Sequence, residues 1–457
     1  MLRNIRDALT RNGFPRFEVI NEWSRIFVEV PKDQEPQALE VLSRVFGIVS
    51  LSPVQVFPFR NLNDLAKKGE SLYKDIVSGK TFAVRAKRVG THPFRSVDIE
   101  RKLGGHLADY GKVDLTHPEV TVEVEVRDHT AYFFLERIPG AGGLPIGAEG
   151  KALALVSGGF DSIVAAYLML KRGVEVDFLF FNLGGIYHLH GAFEVVQAMS
   201  DRWAYGYEPV FYEIDFRPVM LELQEKVKQN YWNLILKRQM YRAAEHLARQ
   251  KDYPVIVTGE SVGQVSSQTL ANLAVATKAV KIPIFRPLLT YDKQEIIDLS
   301  RHVGTYELSS QLLEYCQMVP KHPVTRATEE RVLAQERDLD LTLLERLVKQ
   351  ARVYKVRDTH LPDLDHLECS EIPEGAQVVD VRSKEERKGN PFAADLWIPV
   401  EELPQRVQEL DKTRPLVLVC EHGFKSMEAA WYLRNLGFEA YSLKGGLRTF
   451  RKKARMS

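Results

Sequence analysis

Cysteine is nearly absent from this chain, with three among 457 residues. That number cannot build the disulfide framework that staples small secreted domains. In the reducing compartment this implies, each thiol has to be weighed singly. Long apolar runs are missing too. Runs such as Phe178–Phe181 are strand-sized, far short of the ~20 residues a membrane helix needs. Met1–Thr10 holds no continuous apolar segment ending in small residues, so no secretory signal is expected. An excess of charge of one sign is also lacking: 62 Lys and Arg stand against 61 Asp and Glu, a net charge of +1. Such a balance excludes a globally basic nucleic-acid binder, and any RNA site must be a local patch. The expectation is a cytoplasmic protein with no membrane partner.

What is present is a globular composition, 45% apolar and 27% charged, in a chain long enough for about three domains. Two loop-rich stretches divide it: Ile138–Gly147, dense in Gly and Pro, and the segment from Asp358 to Pro373 with its prolines and scattered acids. Between them, short apolar runs at Ala152–Val156, Val176–Phe181, Pro209–Ile214 and Val255–Thr258 read as strands, and residues 161–172, 217–229 and 233–250 read as helices. This alternation predicts a parallel, doubly wound sheet. Past residue 373 the pattern restarts in miniature, with strands at Gln377–Val381, Pro415–Val419 and Glu439–Ser442 and a helix over 426–436. Ahead of residue 138 the reading is mixed, with one strong strand at Thr121–Val126.

The strand Ala152–Val156 runs into Ser157-Gly-Gly-Phe-Asp-Ser162 and then into a helical pattern. Strand, glycine turn and helix start make an anion site, because the glycines let backbone amides face a phosphate and the helix N-terminus adds positive potential. The loop lacks the Lys-Ser/Thr ending of the loop that grips terminal phosphates. Ser157, Gly158, Gly159, Asp161 and Ser162 resemble the loop of the ATP pyrophosphatase family, in which ATP is split between its alpha and beta phosphates. The alternative is an acidic helix cap on an unrelated turn. Thr258–Thr269 closes the fourth strand with two glycines and a row of hydroxyls and amides, suited to an adenine edge and ribose. Lys237 and Lys293 are candidate charge partners for a nucleotide; taken alone, either reads as a solvated surface lysine.

Cys420 ends the strand before Cys420-Glu-His-Gly-Phe-Lys-Ser426, and a helix follows. Converging backbone amides and the helix dipole there favour an anionic sulfur, including a persulfide. With Val378–Ser383 upstream and Lys444–Leu447 downstream, residues 372–457 resemble a rhodanese domain, which carries persulfide sulfur. Cys316, in the middle region, reads first as structural; as a second thiol on a separate module it is also placed to exchange with Cys420. Cys369 reads as incidental, in an acidic linker. The three are not spaced as Cys-Xaa-Xaa-Cys pairs, so neither a bound metal nor an iron–sulfur cluster is expected. Between Lys80 and Lys102, seven Lys/Arg face two acids. This basic patch is either an RNA footprint or a solvated face.

Taken together with Thr81–Gly90, Val113–Val120 and Phe181–Gly185, these motifs resemble, over nearly the whole chain, the tRNA 4-thiouridine synthetase (tRNA uracil 4-sulfurtransferase) family in its long form. The resemblance implies a multidomain α/β protein. Its parts are a ferredoxin-like domain over 1–59, an RNA-binding THUMP domain over 60–139, a doubly wound PP-loop adenylation domain over 148–345 and a rhodanese domain over 372–457. The family opens with an extra strand and basic turn before the position matching Met1, so the first domain is expected to be truncated. Leu155, Val156, Lys237, Gly259 and Gln268 are implied ATP contacts, with Asp161 and Lys293 needed for adenylation. Cys420 is the implied persulfide carrier and Cys316 its disulfide partner. Arg85, Lys87, Arg88, Arg95 and Lys102 are the expected RNA contacts. ATP with Mg2+ is the implied cofactor. The implied partners are tRNA, a cysteine desulfurase as sulfur donor and the sulfur carrier of thiamine-thiazole synthesis, and a homodimer is left open. The rival readings are a PP-loop thiolase of another tRNA position and a non-catalytic RNA-binding protein. The rhodanese domain speaks against the first, and Asp161 with Cys420 against the second.

Overall fold

The computed structural model describes residues 1–22, 25–312, 322–388 and 390–454. The chain divides into two compact units, Met1–Pro145 and Ile146–Ser457.

The first unit begins with helices Leu2–Arg11 and Glu35–Ser43, which flank an antiparallel strand pair, Glu18–Glu22 with Arg25–Glu29. A five-stranded sheet follows in the order Val54–Pro58, Thr130–Phe134, Val120–Arg127, Thr81–Val89, Lys112–Val113. Its two long central strands run parallel, and the helices Leu62–Val77 and Ser96–Leu107 cover it. The two helices cross at Gly69, where a Cβ would come within 2.7 Å of Leu103 and 3.0 Å of Phe133, so only glycine allows the approach. Leu65, Tyr73, Leu103, Phe82, Val122 and Phe133 fill the core beneath. Fully burying each such apolar side chain stabilises the fold by about 1.5–3 kcal/mol.

The second unit holds two sheets. The larger is ordered Ile284–Phe285, Ile256–Val257, Lys151–Val156, Glu175–Asn182, Val210–Asp215, Arg352–Lys355. Strands of a parallel sheet covered on both faces read as continuous apolar runs, and Val176–Phe181 is buried throughout. The parallel expectation holds for five strands. The sixth, Arg352–Lys355, runs antiparallel beside Val210–Asp215, an edge that helix–strand alternation does not reveal. The 19-residue helix Gly185–Trp203 was not among the expected helices either. It opens on Gly184-Gly185 and carries Gly191 and two histidines, His188 and His190, which blur its apolar stripe.

From its first strand, Lys151–Val156, the chain proceeds through Glu175–Asn182 and Val210–Asp215 on one side. It then crosses back to Ile256–Val257 on the other. The strand order therefore reverses between Lys151–Val156 and Ile256–Val257. In open α/β sheets the crevice at such a switch point, beyond the carboxyl ends of the strands, is where ligands bind.

The smaller sheet, all parallel, is ordered Glu368–Cys369, Ala440–Leu443, Leu416–Val419, Gln377–Asp380, Leu396–Trp397. Cys369 thus belongs to an edge strand rather than to a linker, a correction to the sequence reading. Its strand is only two residues long and sits among prolines and acids that conceal it. Among the described residues, no helix is long and apolar enough to cross a membrane.

Candidate functional site

Two loops meet in the switch-point crevice. The first leaves Val156, the buried end of the first strand, whose neighbour Leu155 is half-buried. Gly158 has φ +82°, a backbone region open to glycine at no steric cost, and the helix Phe160–Lys171 starts after Gly159. The loop is braced internally: the Ser157 amide donates to Ser162 Oγ at 3.3 Å, and that hydroxyl donates to the Gly159 carbonyl at 3.2 Å. The second loop leaves the fourth strand at Thr258. Gly259 presses against the first loop so closely that a Cβ there would stand 2.4 Å from the Asp161 carbonyl carbon and 2.5 Å from the Ser162 nitrogen. The side chain of Gln268 folds back, its Oε1 accepting from the Ser261 amide at 3.1 Å.

The charged groups of the crevice are paired. Asp161 accepts from Lys293 Nζ at 2.8 Å and from Gln264 Nε2 at 2.8 Å; Lys293 also lies 5.4 Å from the centre of the Phe160 ring. Lys237 donates to Glu260 at 2.6 Å. Glu260 also accepts from Arg286 Nε at 2.7 Å, the Tyr241 hydroxyl at 2.5 Å and the Thr258 hydroxyl at 2.9 Å. Burial alone would push the Glu260 carboxyl up, but Lys237 and Arg286 outweigh it and hold it down to about 2. Below the loop, His188 meets the Ser157 carbonyl at 3.3 Å, and burial pushes its imidazole down to about 4. All the residues assigned to the nucleotide therefore lie on or beside these two loops. Gln264, Glu260, Arg286 and His188 were not singled out in the sequence. Glu260 and Gln264 sit inside the Thr258–Thr269 motif, each directly after one of its two glycines, and that placement is the available signal. Among the described residues, no group of three or more His, Cys, Asp and Glu side chains could hold a metal ion.

The sulfur loop is built at the carboxyl end of Leu416–Val419. Cys420 is 3% exposed, and its Sγ accepts from the amides of Gly423 at 3.1 Å and Ser426 at 3.4 Å. The Ser426 hydroxyl stands 3.3 Å from the same sulfur and 2.8 Å from the Ser442 hydroxyl. Gly423, at φ +98°, starts the helix Phe424–Asn435. Amides converging at a helix start stabilise negative charge on the atom they face, so the cradle suits an anionic sulfur. Arg382 reaches this loop: it pairs with Asp380 at 2.8 Å and Glu421 at 3.3 Å. Cys369 donates to the Ser442 carbonyl at 3.7 Å, and burial, with the charge of Glu368, pushes its thiol up. Cys316 lies outside the described residues.

The helix that follows the sulfur loop, Phe424–Asn435, leans on the larger sheet's module. Phe424 packs against Tyr187 with ring centres 5.0 Å apart. Arg217, bound to Asp215 at 2.7 Å, also pairs with Glu428. Met427 joins Leu364 and Leu367 in a small apolar cluster with Ile186, Tyr187 and Trp431.

In the other unit, Arg85, Lys87, Arg95 and Lys102 are exposed and Arg88 is half-buried. Side chains alternate along a strand, so Arg85 and Lys87 share one face of Thr81–Val89 and Arg88 takes the other. Arg85 donates to the Leu115 carbonyl at 2.6 Å and Arg88 to the His92 carbonyl at 3.3 Å. Glu125, the strand neighbour of Lys87, is buried and paired with Arg25 at 2.7 Å and Arg127 at 2.6 Å. Its charge is therefore compensated by arginines outside the five expected RNA contacts.

Known proteins share this arrangement. A family model described as "Thiamine biosynthesis protein (ThiI)" matches residues 147–341. Models of the ThiI ferredoxin-like, THUMP and rhodanese-like domains match residues 1–52, 59–136 and 365–453. A tRNA sulfurtransferase of Desulfurococcus amylolyticus is 40% identical over 460 residues, covering 99% of this chain and 93% of that protein. One from Escherichia coli is 36% identical over 447 residues, covering 95% and 92%. A crystal structure of a 4-thiouridine synthetase–RNA complex with bound ATP matches with a TM-score of 0.68 and 27% identity, covering 77% of this chain and 93% of that one. With identity of this order along nearly its full length, the chain belongs to the tRNA sulfurtransferase family.

Proposed function

We propose that this enzyme replaces a uridine oxygen of tRNA with sulfur, forming 4-thiouridine at position 8, in two linked steps. ATP bound over the Ser157–Ser162 loop activates the C4 oxygen of the uridine as an adenylate, and pyrophosphate leaves. Leu155, Val156, Lys237, Gly259 and Gln268 hold the nucleotide, while Asp161 and Lys293 act in the adenylation. The poor leaving oxygen thereby departs with AMP. Sulfur carried as a persulfide on Cys420 then takes its place at C4. Cys316 attacks the remaining sulfur of Cys420, and an external thiol reductant opens the resulting Cys316–Cys420 disulfide.

The observation that carries this reading is the pairing, in one compact unit, of the braced loop at the switch point with a cysteine whose sulfur receives two backbone amides. Mg2+ fits as a companion of the ATP phosphates, a setting in which it needs one or two protein carboxylates, and Asp161 is the carboxylate the loop offers. Arg85, Lys87, Arg88, Arg95 and Lys102 serve as contacts to the tRNA backbone. A cysteine desulfurase supplies the sulfur, and the same Cys420 persulfide passes sulfur to the carrier protein of thiamine-thiazole synthesis. That second role draws on the name of the matching family model. The working site is cytoplasmic.

The test is mass analysis of nucleosides from tRNA incubated with the protein, ATP and a sulfur donor. The expected product is 4-thiouridine at position 8, absent without ATP and absent with Cys420→Ser. Thiouridine formed equally well without ATP would refute the adenylation step.

A further inference from the structure

Glu260 is 5% exposed and follows the glycine that presses on the phosphate loop. Two full positive charges, Lys237 and Arg286, converge on its one negative charge. The two cations differ in how they are held. Arg286 is anchored independently, donating also to the Thr277 hydroxyl at 2.8 Å and the Tyr241 hydroxyl at 3.4 Å. Lys237 projects from the helix Trp232–Gln250 on a flexible stem, and Glu260 receives one of the three donors an ammonium carries. Without the carboxylate, the ammonium would face the fixed guanidinium alone, and unpaired like charges in a half-buried site repel strongly.

We propose that Glu260 is the positioning residue of the nucleotide site, fixing Lys237 where it meets the phosphates while making no contact with the nucleotide itself. This rests on the reading of the crevice as the ATP site. The Tyr241 hydroxyl, at 2.5 Å, fixes the carboxylate in turn, so it belongs to the same chain of positioning. A residue acting through Lys237 loses its influence once Lys237 is gone, whereas a merely structural residue does not.

The experiment measures ATP affinity of the full chain by calorimetry in single and double variants. Glu260→Gln should weaken ATP binding about tenfold, the size expected for losing a charge-assisted hydrogen bond. In a Lys237→Met background the same change should alter affinity by less than about twofold. Tyr241→Phe, a gentler variant that keeps the carboxylate, should weaken binding about threefold and also become silent in the Lys237→Met background. A cooperative thermal unfolding transition like that of the parent chain, together with sulfur loading of Cys420, reports that each variant is folded. An equal loss from Glu260→Gln in both backgrounds, or no loss in the parent background, overturns the proposal. Failure of the parent chain to bind ATP is a different result: it removes the reading of the crevice, and the proposal falls with it.

Discussion

Lys293 and Asp161 meet at 2.8 Å although 132 residues separate them in the chain. One follows the parallel strand Ile284–Phe285 and the other the first strand, so the reversal of strand order is what brings them together. Asp161→Ala should lower tRNA thiolation by about a hundredfold or more, the scale of losing a preorganised charge at a reacting centre. It should leave persulfide formation on Cys420 intact. Uridine-dependent pyrophosphate release is the measurement, and undiminished release in the variant would remove Asp161 from the chemistry.

Gly446 has φ +66°, and a Cβ there would stand 2.5 Å from the Gly423 nitrogen, 2.6 Å from the Glu421 carbonyl oxygen and 2.7 Å from the Cys420 carbonyl oxygen. Gly446→Ala therefore pushes the 444–447 turn off the sulfur loop. The expected cost is about 1–3 kcal/mol of stability in that module, with loss of sulfur loading and normal ATP binding. Thermal unfolding and persulfide assay check it; normal loading of Cys420 would show that the loop tolerates the shift.

Much of this was legible in the sequence, for identifiable reasons. Ser157–Ser162 and Cys420–Ser426 each follow a continuous apolar strand and precede a helix, so periodicity and glycine together mark them. Glu260 and Gln264 are not legible in the sequence, because a polar residue in a hydroxyl-rich loop looks solvated until the fold sets Glu260 against Lys237 and Arg286 and Gln264 against Asp161. Cys369 was misplaced because a two-residue strand carries no period. Arg85 and Arg88 read as one patch in a linear count, and only the strand's alternation separates their faces.

His188 offers a pH test. The unfolded imidazole takes its proton near 6.5 and the folded one near 4, because of burial. Between those values the unfolded chain holds more protons, so stability present near neutral pH is lost as the pH falls from 6.5 toward 4. His188→Gln should flatten that part of the profile. Urea midpoints measured from about pH 7 to about pH 4.5 decide the matter; parallel profiles would show that other groups carry the dependence.

The patch on Thr81–Val89 predicts a salt effect. Replacing Arg85, Lys87 and Arg88 should weaken tRNA binding and reduce the slope of log affinity against log salt by roughly one for each phosphate no longer neutralised. Because Arg88 lies on the face opposite Arg85 and Lys87, its single replacement should change the slope differently from the Arg85/Lys87 pair. An unchanged salt series for the triple variant would make the patch a solvated surface.

The three cysteines predict three outcomes. Cys420→Ser removes the sulfur that faces the Gly423 and Ser426 amides, so sulfur loading and thiolation should stop together. Cys316→Ser should still load sulfur on Cys420 yet fail to turn over, as expected if it resolves the persulfide by thiol–disulfide exchange. Cys369→Ser should behave like the parent. Its thiol is half-buried in an edge strand, donates to the Ser442 carbonyl and is pushed up by burial, all of which disfavour the thiolate that exchange requires. The measurement is non-reducing peptide mapping after a single turnover without added reductant. A Cys316–Cys420 bridge is the expected species; Cys420 recovered as a free thiol, or joined to Cys369, after product has formed would sink the pairing.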